Sequence, residues 1–416
     1  MRNADLTTTV AATEQSVESL LVVVPPPSGN AVAPATVVAG LPLLRRIVLA
    51  ATRAGFARVL VRSAHPGGPH AVSAHADVDP LLDGTGAVAL NDGPLPLAES
   101  VGSSPAARTR IVILAGNVVP QARWLRSLRE LRIATERLYD DGAMAVVIDT
   151  GDAGSVLAAA ARCESAEELI AELRSKLGGT ELEGDATGRF RLDAPADAAP
   201  AETWLLRSLI KQREGFMSRH VERKISLAIT RRLAPTRVTP DAMTLVSLAI
   251  GLIGAPFFLS SDPHYQLAGA LLFLTHSILD GCDGELARLK FMESPHGAIL
   301  DFWGDNAVHV AVFSCMAVGL SLATGSAWPL LAGVITVLAT VGSAAFASRQ
   351  TMHDTALSDD ATRTARLAEA FSHRDFIYLV VLLSAFGKAH WFLMLASVGT
   401  PTFFLLMLWV SARRRA

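Results

Sequence analysis

The sequence predicts a soluble α/β domain followed by an all-α integral membrane domain of six helices. Three observations carry this. Up to about residue 195, short β-branched runs alternate with stretches of helical periodicity. From Pro240 onward, apolar segments of about twenty residues follow one another, each long enough for a hydrocarbon core of about 30 Å. Lys and Arg fall in alternate loops between those segments. The expected division is 1–195 as a soluble domain, 196–240 as a linker with amphipathic juxtamembrane helices, and 241–416 as the membrane domain.

In the soluble part, Leu20 to Val24, Arg58 to Arg62, Arg110 to Leu114 and Ala143 to Ile148 read as strands. Leu43 to Gly55 and Ser165 to Leu177 read as helices, and the alternation suggests a mostly parallel sheet. A loop rich in Gly, Pro and His spans His65 to His75, and Leu192 to Ala201 reads as a linker. Cys163, Cys282 and Cys315 are sparse and odd in number, so they give neither a disulfide framework nor zinc spacing. The first 19 residues are polar and contain acids, unlike a signal peptide.

The net charge of −2 hides an asymmetry, because residues 201–240 hold nine Lys/Arg against three Glu. A basic stretch before a hydrophobic half suits membrane lipids with anionic headgroups, and no motif suggests nucleic acid. Trp204, Leu209, Phe216 and Ile225 are interleaved with these bases, as in helices that lie on a membrane with Arg and Lys at the headgroups. Six spans follow, at about 241–260, 265–288, 297–322, 327–348, 374–388 and 391–412. Arg231, Arg232 and Arg237 precede the first. Arg288 and Lys290, then Arg349, Arg363, Arg366 and Arg374, and finally Arg413 to Arg415 mark the same side. The positive-inside rule then puts both termini in the cytoplasm, in a multi-pass protein of the cell (inner) membrane.

Asp280 and Asp283 end the second span, and Asp301 and Asp305 begin the third. Spacings of i,i+3 and i,i+4 put each pair on one helix face, at one depth near the cytoplasmic side. Four facing carboxylates in a low-dielectric site must be protonated, paired with bases or bound to cations. Arg288 and Lys290 are too few to neutralise them. All-oxygen donors suit Mg²⁺ or Mn²⁺, and two divalent ions balance four carboxylates and suit displacement at phosphorus. Gly281, Gly284, Ala287, Gly297, Ala298 and Gly304 leave room for close helix packing and a phosphate ligand. A cation transporter would instead spread its acids through the bilayer.

Asp280-x-x-Asp283-Gly284-x-x-Ala287-Arg288, eight residues, then Gly297-x-x-x-Asp301-x-x-x-Asp305 resembles the signature of the CDP-alcohol phosphatidyltransferases without substitution. The resemblance covers about 202–412. It implies six membrane helices, a divalent-metal site, and transfer of a phosphatidyl or polyol phosphate group from a CDP-alcohol donor to a hydroxyl acceptor with release of CMP. It implies metal-ligand roles for Asp280, Asp283 and Asp301. For Asp305 it implies the general base, with a metal contact of its own. It gives nucleotide contacts to Gly284, Ala287 and Arg288. Substrate binding extends by resemblance to Gly297, Thr239, Pro240 and Thr244, and a homodimer is implied in the same way. The segment from Gly215 to Ser247 resembles the approach helix of the di-myo-inositol-phosphate-phosphate synthase branch, with Asp241 where the wider family has Asn. Arg374 stands in "SHRDFIYL", which also resembles that branch and suits an acceptor phosphate or a positive-inside anchor. His276 and His309 lie four residues outside the acids and read as packing or supporting histidines.

"GLPLLRRIVLAATRAGFARVLV" and "RIVILAGNVV" resemble a sugar-phosphate nucleotidyltransferase domain. Its phosphate loop is replaced by "PPPSGNAVAP", its lysine by Leu41 and its metal-binding Asp by Asn117. The expectation is a degenerate, nucleotidyltransferase-like domain. The alternatives are a bifunctional enzyme that also makes its CDP-alcohol, and a non-catalytic membrane scaffold with a nucleotide-sensing head.

Overall fold

The computed structural model describes residues 18–62, 80–90, 108–142, 145–182, 186–210, 217–353 and 376–413. The loop expected around His65 to His75 and the candidate Arg374 lie outside them. The chain divides into two units, 1–204 and 205–416.

The first unit is built on a seven-stranded sheet in the order β10-β8-β9-β6-β1-β4-β5. The central strands are β1 (Glu18–Val24), β4 (Arg58–Arg62), β6 (Thr109–Ala115) and β9 (Ala145–Thr150). β5 (Val88–Leu90) and β10 (Gly179–Glu181) are the edges, β8 (Leu138–Asp140) lies between β10 and β9, and β7 (Val118–Pro120) pairs apart from this sheet with β11 (Arg189–Arg191). β1 is parallel to β4 and β6, with Leu21 opposite both Val59 and Val112. Leu20 to Val24 and Ile111 to Ala115 are all at most 2% exposed, as uninterrupted apolar runs should be in strands covered on both faces. β9 is the exception in this mostly parallel sheet, running antiparallel to β6 and β8. Arg110 on β6 and Asp149 on β9 fix this pairing with two hydrogen bonds of 2.7 Å.

Helix α1 (Leu43–Ala54) begins after a short hairpin of β2 (Val37–Val38) and β3 (Leu41–Pro42) and ends at Gly55, whose φ of 86° suits a left-handed cap. Buried Arg46 holds that hairpin by donating to the carbonyls of Val38 and Ala39. Burial pulls its pKa down to about 10, which leaves it charged at neutral pH. Helices α2 (Ala122–Glu130), α3 (Ala153–Arg162) and α4 (Ala166–Leu177) complete the unit. The stretch expected as a linker is structured. Leu192 is fully buried, its N–H donates to Asn117 O, and helix α5 spans Ala198–Ser208.

The second unit is helical. After one π turn at Ser218–Glu222, α6 (Arg223–Leu233) approaches α7 (Pro240–Gly254) and a 3-10 extension to Leu259. Then come α8 (Pro263–Lys290), α9 (Pro295–Thr324), α10 (Trp328–His353), α11 (Phe376–Ala385) and α12 (Ala389–Ala412). Among the described residues, four helices are long and apolar enough to cross a membrane: Pro240–Leu259, Pro295–Thr324, Trp328–Arg349 and Ala389–Ala412. α8 has the length but ends in Asp280, Asp283, Glu285, Arg288 and Lys290; ten residues of α11 are described.

The starts of the first three long helices share one device. Thr239, Asp262 and Ser294 cap them with side-chain oxygens, and Pro240, Pro263 and Pro295 follow. α8 and α9 are joined by residues 291–294, where Phe291 takes a left-handed φ of 57°. That sharp reversal sets the acidic end of one helix beside the acidic start of the next. Phe273, Val308, Val312 and Phe313 pack with Phe392 and Leu393 into the apolar core of this unit.

Candidate metal centre and cleft

Asp280 and Asp283 lie on the last turns of α8, 4% and 5% exposed; Asp301 and Asp305 lie half-buried on the first turns of α9. One carboxylate oxygen from each of Asp280, Asp301 and Asp305 falls within 4.8 Å of the others. Asp283 stands outside that trio. Its Oδ2 accepts from Thr244 Oγ1 at 2.5 Å and its Oδ1 from the Gly284 N–H at 2.5 Å. Its charge still acts on Asp280, Asp301 and Asp305.

Two carboxylates at 4.8 Å repel by roughly 3.5 kcal/mol at an effective dielectric of about 20. Three such pairs cannot stay ionised together without a cation. Among the described residues nothing donates to the buried Asp301 Oδ1. An all-carboxylate donor set with an unsatisfied oxygen fits a hard divalent ion.

A cleft of about 210 Å³ opens beside the acids. Six of the expected substrate positions line it: Pro240, Thr244, Gly284, Ala287, Arg288 and Gly297. Asp283 and Asp301 reach the same space. Thr239 does not line it; its Oγ1 accepts from the Ala242 N–H at 3.3 Å and starts α7. Asp241, the departure from the wider pattern, does line it, and a Cβ on Gly297 would stand 3.0 Å from its Oδ1.

The two histidines divide. His276 Nε2 is 3.3 Å from Asp305 Oδ1, and its Nδ1 is 2.9 Å from the Ser247 carbonyl. Since a carbonyl only accepts, Nδ1 carries a proton, and Nε2 faces the carboxylate. His309 instead meets the rings of Phe273, Phe313 and Phe376 and serves packing.

Glu285 was missed by the sequence reading. It is fully buried and accepts from Arg223 Nη1 at 2.8 Å, Ser226 Oγ at 2.7 Å and Thr230 Oγ1 at 2.6 Å. Arg223 thus pairs inside the protein, not at a headgroup. The signal was present: Arg223, Ser226 and Thr230 form an i, i+3, i+7 polar stripe on α6, and Glu285 is an acid in an apolar helix.

In the first unit, Asn117 sits where the resemblance places a metal-binding Asp. It is 1% exposed, and its Nδ2 donates to Leu192 O at 2.9 Å, as does Asn30 Nδ2.

The acids and the cleft lie together on the helical second unit. Residues 237–403 match the model of the CDP-alcohol phosphatidyltransferase family. It is 38% identical over 148 residues to a bifunctional IPC transferase and DIPP synthase of Rubrobacter xylanophilus, covering 35% of this chain and 33% of that one. It is 31% identical over 168 residues to a CDP-diacylglycerol–serine O-phosphatidyltransferase of Mycobacterium tuberculosis, covering 39% and 55%. The chain spans between 22% and 38% of the length of the four bifunctional relatives it matches. A solved phosphatidylinositol phosphate synthase of Mycobacterium tuberculosis with CDP-DAG bound is similar at 21% identity and a TM-score of 0.33, covering 45% of this chain and 94% of that one.

Proposed function

We propose that this chain is an integral-membrane CDP-alcohol phosphotransferase. It moves a phosphatidyl or polyol phosphate group from a CDP-alcohol to a hydroxyl acceptor and releases CMP. The observation that carries this reading is the convergence of Asp280, Asp301 and Asp305 within 4.8 Å. They stand beside a cleft lined by the remaining positions of the signature.

Asp280, Asp283, Asp301 and Asp305 would hold two divalent ions, Mg²⁺ or Mn²⁺. Such ions, when bound, neutralise phosphate charge and polarise the reacting oxygens. Asp305 takes the proton of the acceptor hydroxyl as its oxygen forms a bond to the phosphorus that bears the alcohol. The bond from that phosphorus to the CMP oxygen breaks. Arg288, on the cleft wall, meets the negative charge that CMP carries away. Gly284, Ala287 and Gly297 keep the wall low enough for a diphosphate, and Pro240 and Thr244 close the opposite side. His276 orients Asp305 through the Nε2 contact. Arg374 takes an acceptor phosphate.

The six long or apolar helices, α7 to α12, are the six spans. Alternate Lys/Arg-rich loops put both termini in the cytoplasm of a cell-membrane protein, and a homodimer follows the family. The domains are 1–195, 196–240 and 241–416. The first is a degenerate nucleotidyltransferase-like domain: Asn117 offers a cation one neutral amide oxygen where an aspartate would bring a charge.

The test is CMP release by the purified chain from CDP-diacylglycerol and CDP-inositol, against inositol phosphate, glycerol phosphate and lipid alcohols. Release should need Mg²⁺ or Mn²⁺ and fall at least about a hundredfold in Asp305→Asn. Metal-independent release, or full activity in that variant, contradicts the reading.

A further inference from the structure

We propose that Lys290 is a positioning residue for the cleft, acting through the turn that enters α7; the proposal rests on the phosphotransferase reading. Lys290 closes α8, seven residues beyond Asp283 and outside the family signature. It is 8% exposed, and its Nζ donates to Thr236 O at 2.7 Å and to Val238 O at 3.1 Å. Among the described residues, the other hydrogen bonds of this turn are local: Thr236 N and Oγ1 reach Leu233 O, and Val238 N reaches Thr236 Oγ1.

From those two carbonyls the path to the cleft is short. Thr239 follows and caps α7. Pro240 and Asp241 then enter the cleft wall. One turn on, Thr244 Oγ1 donates to Asp283 Oδ2. The path therefore leaves α8 at Lys290, runs through the turn and the first turn of α7, and returns to α8 at Asp283. The cleft lies inside this ring. Its two fastenings differ in number: two ammonium bonds at the turn and one hydroxyl bond at the acid.

A cation at this position is expensive. Burying an ammonium is costly unless its donors are used, and an apolar residue would end the helix more cheaply. A cation at a helix C-terminus is favourable in itself, but it needs no reach to another segment for that. Here the ammonium reaches two carbonyls of one turn, and that turn sets where Pro240 and Thr244 stand across from Gly284 and Arg288. The ring holds a cleft wall whose lining does not include Asp305, so its loosening acts on donor binding and not on the chemical step.

The test uses the full chain in detergent, with Lys290→Met and Lys290→Arg. Kinetics are read by CMP release from CDP-diacylglycerol and CDP-inositol, and backbone order by hydrogen exchange. Lys290→Met should raise the donor KM about tenfold, the equivalent of one charged hydrogen bond. Its kcat and half-saturating Mg²⁺ should stay within about twofold of the parent. Amides of residues 236–245 should exchange faster while those of 263–280 do not, and Lys290→Arg should restore most of the KM. A wild-type KM with wild-type exchange overturns the proposal. So does a uniform fall of kcat, donor affinity and melting temperature, which marks a general structural role. If the parent releases no CMP from either donor, the phosphotransferase reading is what fails. The exchange comparison then decides the clamp alone, unchanged exchange overturning it and faster exchange at 236–245 sustaining it.

Discussion

Glu285 has no exposed surface, and three side chains of α6 donate to it. Removing the acceptor takes away the Arg223 ion pair and leaves the hydroxyls of Ser226 and Thr230, 1% and 0% exposed, without this acceptor, which costs about 1–3 kcal/mol. Glu285→Ala should therefore lower the melting temperature in detergent clearly, and Glu285→Gln, which still accepts from the hydroxyls, should lower it less; equal melting for all three proteins contradicts the assignment. His276 gives a kinetic counterpart. With Nδ1 committed to Ser247, the ring can turn only by losing that bond. His276→Ala should cut kcat about tenfold or more at saturating donor while moving the donor KM little. Cys163 behaves oppositely to a reactive thiol. It is 4% exposed, and burial pushes its pKa up to about 11, against a smaller opposing pull from Arg62. At pH 8 roughly one thiol in a thousand is ionised, so maleimide labelling of Cys163 should be slow in the folded protein and fast in denaturant.

At the scale of elements, the helix starts were written plainly in the sequence. A capping oxygen before a proline marks Thr239, Asp262 and Ser294, and periodicity and caps are local signals. The acid pairs were legible for the same reason, since i,i+3 and i,i+4 spacing needs no tertiary knowledge. The partners were not. That Asp283 turns to Thr244, that Glu285 holds α6 and that Lys290 reaches Thr236 depend on which helices touch. The antiparallel course of β9 was hidden too, because a fully buried strand shows no alternation to betray its direction. Helix contact also gives a prediction. A Cβ on Gly251 of α7 would stand 2.7 Å from Val308 Cγ1 and 3.0 Å from His276 Cγ. Gly251→Val should push α7 from α8 and α9, cost about 1–3 kcal/mol by overpacking, and reduce activity by shifting His276. Melting and CMP release measured together should both fall.

At the scale of the whole molecule, the two units answer to different chemistry. The first has its would-be metal position filled by Asn117, tied to Leu192 with Asn30. Given CTP and a phosphoalcohol, the full chain should release no pyrophosphate; steady release would restore the bifunctional alternative. The second unit's acid pairs were legible because they lie along two adjacent helices, whereas the cleft needed a third helix, α7, to close it. The central claim is that these carboxylates are tolerated because divalent cations sit among them. Manganese bound per chain, counted by electron paramagnetic resonance titration of the purified protein, tests it most directly. The wild type should bind about two ions, and the Asp280→Asn, Asp305→Asn double variant should lose them. A wild-type protein that binds none at saturating manganese, or a double variant that binds as well as its parent, would contradict it.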